Sequence, residues 1–163
     1  MFKLFKGKEQ TEVVFSPVAG KFVPLDQVAD PVFAQKMAGD GFAIQPTGNQ
    51  LFAPVTGEVT TVFKTKHAIG LRTATGLDIL VHIGIDTVDL NGEPFEILVK
   101  EGQSVNPRTL IAKVNFELIR TKQKLDTVLV LITNMDQVKS LKVQTPPVDE
   151  LLASSEVLTA TLI

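Results

Sequence analysis

His67 and His82 are the only imidazoles in this chain of 163 residues. Each falls in a stretch whose alternation points it away from a core. Between Asp78 and Asp86, Ile79, Val81, Ile83 and Ile85 form one apolar, β-branched face, and Asp78, Leu80, His82, Gly84 and Asp86 form the other. The isoleucine face is the one to bury, which leaves His82 on an outer surface beside Leu80. An imidazole that packing does not require is free to exchange a proton near neutral pH or to attack through a ring nitrogen. In the second stretch Phe63, Thr65, His67 and Ile69 share a face. Thr65 and His67 would then lie side by side, about 6.5–7 Å apart at Cα. The hydroxyl can hold one ring nitrogen and fix which of the two faces outward. If the two histidine strands pair, the rings meet; spacing alone equally allows two unrelated surface histidines.

The elements that must position these side chains read as many short strands. Apolar runs occur at 13–15, 21–25, 42–45, 50–53, 58–63, 69–73, 78–83, 95–99, 110–115, 127–132 and 156–163. Turn signals separate them at Pro46-Thr47-Gly48-Asn49, Asn91-Gly92, Glu101-Gly102 and Asn106-Pro107. This spacing predicts an all-β fold, an antiparallel sandwich or partly open barrel, with a few short helices. Asp30 as N-cap, Pro31 at the first position and Gly39 as a stop predict a helix over the intervening residues, with Phe33 and Met37 on one face, packing inward. Two more capped helices are expected over 115–122 and 134–141. The turn Pro17-Val-Ala-Gly-Lys-Phe22 recurs as Pro54-Val-Thr-Gly-Glu-Val59. The echo fits a sheet built from two similar motifs, with each glycine expected at a turn of positive φ.

Composition removes several function classes. The length suits one domain with a sizeable core. A formal net charge of −2 lacks the basic footprint of a nucleic-acid binder, and the chain has ten Phe but neither Trp nor Tyr as stacking platforms. Cysteine is absent, which excludes disulfides, a thiol nucleophile and thiolate metal sites. No run approaches the roughly 20 apolar residues of a membrane span, and no signal peptide is visible. The expectation is a soluble cytoplasmic protein. Residues 1–10, in which Phe2, Leu4 and Phe5 alternate with Lys3, Lys6 and Lys8, read as a flexible tail with at most weak membrane-surface contact through residues 1–6. Residues 11–163 read as one domain.

Further motifs narrow the field: Ser-Pro-Val-Ala-Gly at 16–20, Asp-Pro-Val-Phe-Ala-Gln-Lys-Met-Ala-Gly-Asp-Gly at 30–41, Pro-Thr-Gly-Asn at 46–49, Ala-Pro-Val-Thr-Gly at 53–57, Lys-Thr-Lys-His-Ala at 64–68 and Val-His-Ile-Gly-Ile-Asp-Thr-Val at 81–88. In this order they resemble the glucose-type enzyme IIA family of the bacterial phosphoenolpyruvate-dependent sugar phosphotransferase system. The resemblance runs from about Thr11 to the C-terminus. It implies a barrel-sandwich hybrid with a duplicated motif, and a phosphoryl carrier. By that resemblance His82 is the phosphorylated residue. It would be loaded by the phosphohistidine of the small carrier HPr and unloaded by a cysteine of the IIB domain of a sugar permease. His67 would stabilise the phosphoryl group and Thr65 would orient His67. Asp30 and Asp86 would flank the site. Phe33, Met37, Ala38, Phe63, Ile69, Leu80 and Val88 would line an apolar rim for partners, regulated transporters or metabolic enzymes among them. Met1 lies close to the domain start, as in a free-standing protein, although a domain cut from a larger permease would read the same.

Two other chemistries fit fragments of the chain. His82-Ile-Gly-Ile-Asp86 has a metal-ligand spacing, and with His67 it supplies the three ligands of a hybrid-fold zinc peptidase. Zinc held by His67 and His82 alone is a lesser version of that idea; no cofactor is required. The stretch from Glu101 to Ile111 suggests a biotinyl- or lipoyl-type carrier, but such domains present lysine at a hairpin tip. Lys64 and Lys66 read as strand instead, and the flanking methionine is missing.

Overall fold

The computed structural model describes residues 9–144 and 150–163. The expected contact of residues 1–6 with a membrane surface, and most of the expected tail, lie outside the described residues. Glu9 and Gln10 are already tied to the domain. Lys139 Nζ donates to Glu9 at 2.5 Å, and the Leu162 amide donates to the Gln10 carbonyl at 2.9 Å.

The architecture is antiparallel β, as expected, and it does not close into a barrel. A seven-stranded sheet has the order β2 (Gly20–Pro24), β3 (Asp40–Pro46), β11 (Leu125–Ile132), β7 (Asp78–Ile85), β6 (Ala68–Thr73), β5 (Gly57–Val62), β9 (Ser104–Val105). Two three-stranded sheets complete the sandwich. One runs β1 (Thr11–Phe15), β13 (Glu156–Leu162), β12 (Val138–Val143); the other runs β4 (Gln50–Phe52), β10 (Leu110–Val114), β8 (Phe95–Ile97). The main core lies between them, where Ile79, Val81, Ile83, Val128 and Val130 of the large sheet meet Val14, Leu51, Ile111 and Leu158 of the small ones.

The opposite face of the large sheet is not left to solvent. Leu129, Leu131, Ala43 and Ile85 pack there against Leu25 and Val28, with Leu80 and Phe33 at the margin. This second core explains the unbroken apolar run Val-Leu-Val-Leu-Ile in β11, a strand covered on both sides. Ile85 departs from the alternation read in the sequence. Gly84 has φ +75°, and the pairing of β7 with β11 shifts between Leu125 and Val128. That bulge turns Ile85 onto the face of Leu80 and His82.

The Pro-Val-x-Gly echo marks a local two-fold exchange. The Phe15 amide donates to the Pro54 carbonyl and the Phe52 amide donates to the Pro17 carbonyl, each at 2.7 Å. The glycines serve close approach rather than positive φ. A Cβ on Gly20 would sit 2.2 Å from the Gln45 carbonyl oxygen, and one on Gly57 2.3 Å from that of Arg72.

Helices are shorter than the sequence predicts. Helix α1 spans only Pro31–Ala34, because Lys36 takes φ +62° well before Gly39. Helix α2 (Phe116–Thr121) forms as expected behind its Asn115 cap. The helix expected over 134–141 is instead a 3-10 turn, Met135–Gln137, followed by β12, whose pairing with β13 overrides a helical pattern.

Candidate functional site

The β6–β7 pairing brings the two histidines together. Ala68 stands opposite His82, and His67, one residue earlier, sends its carbonyl to the Ile83 amide at 2.7 Å. The imidazole centroids are 5.0 Å apart with planes at 80°. Strand alternation is not what places Thr65 beside His67. The chain turns between β5 and β6, with Lys66 at φ +61° and its amide on the Phe63 carbonyl at 2.8 Å. Within that turn Thr65 Oγ1 lies 2.6 Å from His67 Nδ1. Lys64 and Lys66 therefore occupy a hairpin turn and not a strand.

His82 Nδ1 lies 2.7 Å from the Gly84 carbonyl oxygen. A carbonyl can only accept, so Nδ1 bears the proton and a neutral ring turns the lone pair of Nε2 outward. Burial holds the pKa of His82 below its ordinary value of 6.5. The Gly84 bond pulls it up, neighbouring His67 pushes it down, and Asp30 and Asp86 pull it up again. Burial likewise lowers His67, which is only 7% exposed. Burial thus favours the neutral form of both rings.

Aromatic rings extend the pair into a row of four. The Phe33 ring is centred 5.1 Å from that of His82, and the Phe63 ring 5.4 Å from that of His67. Asp30 makes the Phe33 contact possible by capping α1, its Oδ1 accepting from the Val32 and Phe33 amides at 2.9 and 3.4 Å. Within this row Phe63 is 38% exposed, and elsewhere Met37 is 72% exposed and Val88 45%. Ala38 and Leu80 are half-buried against the second core. Met37 stands clear of the face that Phe33 packs, because α1 ends first.

Ile69 departs from its expected place. It pairs with Val81, shares that residue's inward face and is fully buried, so it cannot line a rim. Alternation restarts at Ala68 after the turn, which reverses the face assigned to Ile69. The sequence also gave no notice of the Gly84 carbonyl as a ring partner; a glycine two residues after a strand histidine is the one signal that could have. Val32 on α1 is a further exposed apolar side chain, 46% accessible.

A three-ligand zinc centre is not assembled. Among the described residues no three His, Cys, Asp or Glu side chains converge as metal ligands. Asp86 lies past the bulge in a left-handed conformation (φ +62°). The two imidazoles have Nδ1 engaged, so only their Nε2 atoms remain to hold a zinc, two ligands short of a closed tetrahedral set. A polar cleft of about 970 Å³, lined by residues such as Asn49, Glu93, Lys113 and Arg120, takes in neither histidine. Among the described residues no helix is long and apolar enough to cross a membrane.

Fold and comparisons together define a component of a sugar phosphotransferase system. Residues 12–138 match the family described as phosphoenolpyruvate-dependent sugar phosphotransferase system, EIIA 1. The chain is 47% identical over 144 residues to the glucose-specific EIIA component of Staphylococcus aureus (strain COL), covering 86% of this chain and 87% of that one. It is 47% identical over 137 residues to the glucose-specific EIICBA component of Streptococcus pneumoniae serotype 4, covering 84% of this chain but 19% of that longer one. Glucose permease IIA from Mycoplasma capricolum superposes with a TM-score of 0.84 at 36% identity, covering 92% of this chain and 96% of that one. The chain belongs to the EIIA 1 family of the phosphoenolpyruvate-dependent sugar phosphotransferase system.

Proposed function

We propose that this protein is a phosphoryl carrier in which Nε2 of His82 receives the group from phosphohistidine on HPr and delivers it to a cysteine of a permease IIB domain. The observation that carries this reading is the pair of imidazoles with ring centroids 5.0 Å apart, each with its Nδ1 already engaged. In the loading step the Nε2 lone pair of His82 forms the new P–N bond as the P–N bond on the donor ring breaks. No proton need leave His82, because its Nδ1–H stays on the Gly84 carbonyl. In delivery a thiolate sulfur takes the phosphorus and Nε2 departs with its lone pair. A loose phosphoryl-transfer transition state asks for position and charge stabilisation more than covalent help.

His67 supplies that stabilisation. Thr65 donating its hydroxyl proton to Nδ1 leaves the proton of His67 on Nε2, directed at a phosphoryl oxygen. Phe33, Met37, Phe63 and Val88 exclude water from the phosphohistidine and form an adaptable docking rim, with Val32, Ala38 and Leu80 beside them. Asp30 acts through α1, whose N-terminus it caps, and Asp86 offers an exposed charge at the rim. Each docking is small and transient, since a carrier must release both partners. Phosphorylation adds negative charge at the centre of this rim, so regulated transporters or metabolic enzymes that prefer the unmodified surface are released. The relay would place the protein in the cytoplasm. The relatives' names point to a glucose-type permease as recipient.

The test is incubation with phosphoenolpyruvate, enzyme I and HPr, followed by intact-mass measurement. One acid-labile, base-stable phosphate is expected, lost in His82→Ala. His67→Ala is expected to accept phosphate but deliver it to IIB poorly; unimpaired delivery would overturn the role of His67.

A further inference from the structure

The lone pair of His82 Nε2 faces outward only while the Gly84 carbonyl holds Nδ1–H, and that carbonyl has an unusual setting. A regular strand does not offer the carbonyl of residue i+2 to the ring of residue i. Here it does because Gly84 takes φ +75° within the β7 bulge. Such a conformation needs something to hold it, since the bulge leaves backbone groups outside the ladder.

Thr87 is placed to hold it. Its side chain is completely buried, and Oγ1 donates to the Ile83 carbonyl at 2.5 Å. That carbonyl belongs to the peptide group joining Ile83 to Gly84, one unit before the carbonyl that meets His82. The Ile83 amide, in turn, is fixed by the His67 carbonyl at 2.7 Å. The Thr87 methyl fills the space beside Gly84, where an added Cβ would come within 2.4 Å of Cγ2. Thr87 opens the 3-10 turn Thr87–Leu90, and its neighbours Asp86 and Val88 are exposed at the rim. One buried hydroxyl thus ties the turn at the rim to the peptide that aims the Gly84 carbonyl.

We infer that Thr87 is a positioning residue for phosphoryl transfer, clamping the Ile83–Gly84 peptide so that His82 is kept in its Nδ1–H tautomer. This rests on the reading of His82 Nε2 as phosphoryl acceptor. Thr87 touches neither the phosphoryl group nor a partner; it acts through Gly84. At metal sites, where a ligating imidazole must be held in one tautomer, the partner that holds it is worth roughly 10–100-fold in metal affinity or activity.

The test uses the full chain labelled with nitrogen-15, and long-range proton–nitrogen spectra of the imidazoles. Wild type is expected to show His82 protonated at Nδ1 alone. Thr87→Val, which replaces the hydroxyl by a methyl of similar size, is expected to show both tautomers at His82 while His67 keeps its own. Its rate of accepting phosphate from phospho-HPr should fall about tenfold, with the KM for HPr unchanged. Thr87→Ser, which keeps the donor, is expected to retain the single tautomer and the rate. A single Nδ1–H tautomer in folded Thr87→Val would overturn the inference. Should that variant not fold, Thr87→Ser decides: mixed tautomers despite its hydroxyl would overturn it, and a wild-type tautomer and rate would support it. Failure of wild-type His82 to take phosphate would remove the acceptor reading instead, and the tautomer spectra would remain readable.

Discussion

Burial favours the neutral form of both imidazoles, and this has a thermodynamic counterpart. Each ring titrates below 6.5 when folded and near 6.5 when unfolded. Between those values the unfolded chain binds more protons, so stability rises with pH through that window. Their contribution is complete above about pH 6.5 and is lost as pH falls through the folded values. Urea unfolding at about pH 7.5 and about pH 5.5 is expected to show the wild type weakened at the lower pH. In the His67→Gln/His82→Gln double variant that difference should shrink, because the shared carboxylate background cancels. An unchanged pH difference would mean that the rings are not buried as neutral groups. Phosphate acceptance should decline over the same acid range, since a protonated ring has no lone pair to offer.

At the scale of elements, β7 was nearly legible in the sequence and its last residues were not. Alternation places Ile79, Val81 and Ile83 correctly because the main core covers that face. It fails at Ile85 because one glycine at positive φ shifts the register. The same failure accounts for Ile69: a turn between β5 and β6 interrupts a pattern that sequence alone carries straight through. Asn134–Leu141 reads as helical by its capping signals, and strand pairing with β13 decides otherwise. The two histidines stood out in the sequence, and their meeting was one of two readings that spacing allowed. Thr65 reaches His67 through a turn rather than by the strand alternation read there. The Gly84 carbonyl and Thr87 were not legible in the sequence, since their roles depend on backbone direction. The Pro-Val-x-Gly echo offers a test at this scale. Gly57→Ala would press a Cβ to 2.3 Å from the Arg72 carbonyl oxygen, whereas at Gly48 the nearest atom is an ordinary 3.4 Å away. Gly57→Ala is expected to destabilise by about 1–3 kcal/mol in chemical denaturation, and Gly48→Ala to change little. Equal effects would contradict the close-approach explanation.

For the molecule as a whole, the sandwich supplies rigidity and the second core supplies the site. The segment from Leu25 to Ala38 covers the outer face of the large sheet and brings Phe33 to His82. Phe63 is exposed beside His67, and Met37, after α1, and Val88, on the turn after β7, are exposed as well. Under the proposed relay, these scattered apolar groups would serve brief docking with more than one protein. Met37→Ala and Val88→Ala are expected to raise the KM for HPr or for IIB several-fold while leaving kcat nearly unchanged, because they remove contact area and no transition-state interaction. A fall in kcat at constant KM would place those side chains in the chemistry instead.

The proposed relay turns on one nitrogen atom, Nε2 of His82. Long-range proton–nitrogen and phosphorus spectra of the protein phosphorylated through HPr locate the phosphoryl group directly. The expected result is a single phosphate on Nε2 of His82, with the proton still on its Nδ1. Phosphate on Nδ1 of His82, or on His67, would contradict it.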